Sequence, residues 1–61
     1  MKYSICYLDK SGRTTRSEFS DFDADAPAVA HARGAMGQSF MAEIWKDGAI
    51  VERLLQTTAA T

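Results

Sequence analysis

Tyr3, Ile5 and Tyr7 alternate with Ser4, Cys6 and Leu8 across residues 2–8. Aromatic and β-branched side chains at period two predict a strand, because successive side chains of an extended chain point to opposite faces. Asp9-Lys10-Ser11-Gly12 follows and is turn chemistry: an aspartate that can open a type I turn and a glycine that can close it at positive φ. Residues 13–20 then return as a second, more polar strand. Pairing Leu8 with Thr14 sets Tyr3 opposite Phe19, Ile5 opposite Ser17 and Cys6 opposite Arg16. That register puts Tyr3, Ile5 and Phe19 on one face.

The period changes at Asp21-Phe22-Asp23-Ala24-Asp25-Ala26-Pro27. Asp23 or Asp25 can cap orphan backbone N–H groups, and Pro27 suits only a first helical turn. The three carboxylates also favour the positive end of a helix dipole. The spacing predicts a helix from about Asp25 to Met36, stopped by Gly37. Val29, Ala32 and Met36 share one stripe, with Ala28 and Ala35 beside it and His31 and Arg33 on opposite flanks. Gly34 falls near the solvent side, where glycine costs about 1 kcal/mol relative to alanine. Nothing in the pattern explains it.

Residues 39–45 read as a third strand and Ala49 to Leu55 as a fourth, joined through Asp47-Gly48, a type I′ hairpin signal. A two-residue loop pairs Trp45 with Ile50, Ile44 with Val51 and Glu43 with Glu52. The last pairing sets like charges opposite each other, so a longer loop with a bulge is the alternative. The tail 56–61 is small and polar and is expected to fray.

Strand, strand, helix, strand, strand gives an α+β, ββαββ domain over residues 1–55: a four-stranded antiparallel sheet with one helix packed on one face. A right-handed crossover over the first strand gives the spatial order 2-1-3-4. The covered face should carry Tyr3, Ile5, Phe19, Phe40, Ala42, Ile44 and Val51. The other should carry Cys6, Leu8, Met41, Trp45, Ile50 and Leu54. One helix covers one face only, and a solvated sheet face normally reads polar. Met41, Trp45, Ile50 and Leu54 therefore form a candidate interface, with Trp45 as its anchor.

Size sharpens that expectation. A chain of 61 residues buries only about 60% of its unfolded surface, so its stability margin is thin. One cysteine forms no disulfide within the chain, and one cysteine with one histidine builds no typical structural zinc site. Association is the remaining reinforcement. The expected partner is a second copy, in a face-to-face dimer, or another protein. No apolar run approaches the ~18 residues of a membrane span, and at 46% hydrophobic residues the chain is too apolar for a disordered tail.

Charge weighs on the second reading, a nucleic-acid-binding module. Lys10, Arg13 and Arg16 gather around the first hairpin with Lys2 near, and could track phosphates. The net charge of −1 gives no basic excess, and Asp9, Glu18 and Asp21 dilute the patch. Enzyme chemistry finds less. Asp21, Asp23 and Asp25 resemble the start of a calcium loop, but its glycine and glutamate positions are Ala26 and Ala32. His31 and Cys6 could serve as base and nucleophile, yet they fall on different faces. No catalytic, cofactor or metal residue is assigned. The alternation from Tyr3 is too polar for a secretory signal core, and a lone thiol suits a reducing compartment, so a cytoplasmic protein is expected.

The segment Tyr3-Ser4-Ile5-Cys6-Tyr7-Leu8-Asp9, a glycine turn and an Asp-rich entry to a helix with His31-Ala32-Arg33 come first in the chain. Ala42-Glu43-Ile44-Trp45 and Val51-Glu52-Arg53-Leu54 follow. Together they resemble small alphaproteobacterial proteins of ββαββ pattern, over nearly the whole chain. The resemblance implies a bacterial cytoplasmic protein of this fold and the recurrence of Glu43, Trp45 and Arg53. It brings no known activity and no catalytic residues.

Overall fold

A computed structural model describes residues 1–56; the expected fraying of the tail beyond lies outside the described residues. Five elements follow in order: β1 (Lys2–Leu8), β2 (Thr14–Asp21), α1 (Asp25–Ala35), β3 (Met41–Lys46) and β4 (Ala49–Leu55). The four strands form one sheet in the order β2-β1-β3-β4, the order expected from the crossover rule. β1 is antiparallel to both β2 and β3. β2 and β3 therefore run parallel with β1 between them, and α1 is the connection that crosses over.

Each hairpin turn follows its local chemistry. Asp9 Oδ1 accepts from the Ser11 and Arg13 amides at 2.9 and 3.0 Å and from the Ser11 hydroxyl at 2.6 Å. The Gly12 amide donates to the Asp9 carbonyl at 3.0 Å, and Gly12 takes φ +88°. Those donors hold the Asp9 carboxyl below its ordinary pKa, the Ser11 hydroxyl first among them. In the second turn Asp47 and Gly48 both take positive φ, +54° and +78°, the requirement of type I′. Lys46 pairs with Ala49 across it.

The core lies between α1 and the inner sheet face. Tyr3, Ile5 and Tyr7 from β1 meet Ala42 and Ile44 from β3, Leu54 from β4, and Ala28, Ala32 and Met36 from the helix. Alanines 28, 32 and 42 have no exposed surface, so small side chains line both sides of the contact and the helix lies close. Helix entry differs from expectation: the N-cap position is Ala24, and no side chain caps it. Asp23 therefore does not cap. Asp25, inside the first turn, instead accepts the Tyr3 hydroxyl at 2.6 Å. The helix ends at Ala35, with Met36 as C-cap and Gly37 at φ +57°.

Two bulges change the expected registers. Leu8 pairs with Thr14 as expected, but an irregularity between Tyr7 and Leu8 shifts the rest by one residue. Ser4 now faces Phe19, Ile5 faces Glu18, and Tyr7 faces Arg16. Phe19 consequently leaves the helix side and is 82% exposed on the other face. The physical reason is visible around β2. The inner side of β2 carries Arg16 and Glu18, polar groups that can reach α1. Arg16 reaches the Ala35 carbonyl (2.7 Å) and Glu18 reaches His31 (3.0 Å). The second bulge falls between Ile44 and Trp45. Trp45 pairs with Ile50 as expected, but Ile44 pairs with Glu52 and Glu43 with Arg53. The two-residue turn survives, and the like-charge pairing of Glu43 with Glu52 is replaced by an ion pair to Arg53 at 3.1 Å. Val51, the extra residue, stays half-buried against the core. Phe40 is half-buried at the sheet end outside the core cluster.

Candidate functional site

The uncovered face of the sheet is built in rows that the strand registers define. One row runs Phe19, Ser4, Trp45, Ile50 across β2, β1, β3 and β4. The next runs Ser17, Cys6, Glu43, Arg53, and the third brings Leu8, Met41 and Leu55 together beside Thr14. Two apolar rows thus flank a polar one. Phe19, Ile50 and Leu55 are 82%, 40% and 58% exposed, while Leu8, Met41 and Trp45 are half-buried. The α1 helix packs on the opposite side, over Ala42, Ile44 and Leu54.

Three of the four residues expected at an interface lie here: Met41, Trp45 and Ile50. Leu54 does not. It is 4% exposed, pairs with the buried Ala42 and belongs to the core under the helix. The bulge at Val51 reverses the facing of everything after it, so Leu55 replaces Leu54 on the open face. Sequence reasoning missed Phe19 for the matching reason in β2. The unfavourable Glu43–Glu52 pairing was a legible signal for the second bulge. The first has no comparable signal in the sequence.

The basic residues do not converge. Lys10 and Arg13 sit at the first turn, and Lys2 lies at the far end of β1 beside Asp21. Arg16 stacks over the Tyr7 ring at 4.4 Å while its guanidinium donates to the Ala35 carbonyl, where a cation complements the helix C-terminus. No continuous basic stripe joins the four.

Polar contacts close the helix side. The Tyr7 hydroxyl (3.1 Å) and the His31 imidazole (3.0 Å) both donate to Glu18 Oε1, and the His31 bond, foremost, holds the Glu18 carboxyl below its usual pKa. At the other end Asp25 Oδ1 takes the Tyr3 hydroxyl and the Lys46 ammonium (3.4 Å). The bond to Asp25, with burial second, pushes the Tyr3 hydroxyl up to about 12. These groups tie β2 and β3 to α1. Cys6 lies on the open face and His31 on the helix, so the imagined dyad is separated by the sheet. Among the described residues no cluster of three metal-ligating side chains forms, and no helix is long and apolar enough to cross a membrane.

Comparison of the chain with protein-family models, with curated proteins and with solved structures found no match.

Proposed function

We propose that this protein is a non-enzymatic interaction module that self-associates through the open face of its sheet. The observation that supports this is the exposure of Phe19, Ile50 and Leu55 beside half-buried Trp45, Met41 and Leu8. Large apolar side chains grouped on one face are the usual mark of a contact surface. Seven-residue strands at ~3.3 Å per residue, four abreast at ~4.8 Å, make a face of roughly 400 Å². Two such faces brought together remove roughly 800 Å² from water, the size of a small, weak and concentration-dependent contact. A second copy therefore suits both the size of the face and the need of a small domain for added burial. A cytoplasmic setting belongs to the same proposal, since Cys6 is held as a free thiol.

Phe19→Asp tests the reading. Phe19 is 82% exposed, so its replacement leaves the folded monomer intact while placing a charge in the contact. Trp45→Asp should act in the same direction. Sedimentation of Phe19→Asp as a folded monomer, beside a dimeric wild type, is the expected result. Identical sedimentation of the two, with Trp45→Asp also unchanged, overturns it.

A further inference from the structure

The row structure of the open face specifies how two copies meet. We infer that the twofold axis of the dimer runs along the strands, between β1 and β3, so that each Trp45 lies over the partner's Ser4. This rests on the self-association proposed above and goes further by fixing the arrangement.

Two sheets stacked face to face with their strands aligned can be related by an axis across the strands or along them. An axis across the strands lays each strand over its own copy and reverses the rows. The central row then meets itself, Glu43 over the partner's Glu43 and Arg53 over the partner's Arg53. Within each chain those two groups already form an ion pair at 3.1 Å, and stacking two such pairs in the same sense opposes like charges. That arrangement also sets Trp45 over the partner's Met41, large against large.

An axis along the strands has neither defect. It keeps each row over the same row and exchanges β1 with β3 and β2 with β4. The Glu43–Arg53 pair then lies over the partner's Cys6 and the partner's Ser17, with no like charge facing. In the upper row, Phe19, Ser4, Trp45 and Ile50 meet the same four residues in reverse. The indole lies over the partner's Ser4, and Phe19 meets the partner's Ile50. Ser4 is the small side chain between two aromatic ones in its row, so this arrangement sets large against small at the two inner contacts. Packed sheets are rotated by about 30°. Such a rotation displaces the outer strands most, and within the upper row it displaces the Ser4–Trp45 contact less than the Phe19–Ile50 contact.

A mixing experiment tests the arrangement. In Ser4→Trp both central contacts become tryptophan on tryptophan. In Trp45→Ser both become serine on serine. Each homodimer is weakened, one by crowding and one by cavities. Mixed, the two chains restore one tryptophan over one serine at each central contact. Native mass spectrometry of the equimolar mixture should show the heterodimer favoured about tenfold over the statistical mixture. Phe19→Ala mixed with Ile50→Trp provides the same readout at the outer contact, should Ser4→Trp not fold. A dimeric wild type with statistical mixing in the variants overturns the arrangement and leaves self-association standing. A wild type that is monomeric throughout overturns both.

Discussion

Asp25 and Glu18 each accept a tyrosine hydroxyl and a cationic or imidazole partner, and in each case the contact joins the helix to the sheet. Both carboxyls are held below their ordinary values of 3.8 and 4.5, so protons bind the unfolded chain more readily. Their stabilisation is complete above those ordinary values and is lost as pH falls through the lower folded ones. Thermal melts followed by circular dichroism should therefore shift downward as pH falls below those ordinary values. The alkaline limb has the opposite sign. Tyr3 is raised from 10.0 to about 12, so its contribution is present below 10.0 and fades as pH rises through the folded value. The loss in that window should be smaller in Tyr3→Phe, and an unchanged alkaline limb would remove the Tyr3–Asp25 bond from the account. Gly34 poses a different question. A Cβ built on it meets no atom within 4 Å, and it occupies the second-last position of α1. Gly34→Ala should stabilise by about 1 kcal/mol, raising the melting temperature by about 4–8 °C in a domain this small. The structure does not explain why glycine stands there.

At the level of elements, the contact of α1 with the sheet depends on small residues. Ala28 and Ala32 from the helix and Ala42 from β3 are fully buried. Ala42→Leu or Ala32→Leu should cost about 1–3 kcal/mol by forcing the layers apart, measured as a lower urea midpoint at unchanged slope. Truncating the core has the converse fault, and Ile44→Ala should cost about 2–5 kcal/mol, enough to unfold much of so small a domain. The sequence makes these elements legible because each has a local cause: alternation in β1, Asp-Gly in the second turn, alanine spacing in α1. Strand order followed from the crossover rule. The bulges did not follow, because an extra residue in one strand is decided by what the facing of later side chains achieves across the whole molecule. Phe19 turned outward because Arg16 and Glu18 found partners on α1. Leu54 turned inward because the shift in β4 brought Arg53 opposite Glu43 and set Leu54 against Ala42. Each shift inverts one strand's facing, so it moves site residues even where every element is correctly placed.

Over the whole molecule, the consequence of ββαββ order is an imbalance between one helix and two faces. The covered face is closed by Tyr3, Tyr7, Ile44 and Leu54 under alanines. The other retains two apolar rows around the Glu43–Arg53 pair. The bulges changed its membership, exchanging Leu54 for Leu55 and adding Phe19, and left Trp45 and Ile50 paired in one of its apolar rows. Association coupled to folding makes apparent stability depend on protein concentration. The wild-type melting temperature should rise with concentration, while that of Phe19→Asp should not. Self-association is read most plainly from the solution mass by light scattering across a dilution series. A mass of twice 6.7 kDa that falls toward the single-chain value on dilution is the predicted result. A mass of one chain at every concentration up to about millimolar would contradict it, because an affinity weaker than that is worth only about 4 kcal/mol.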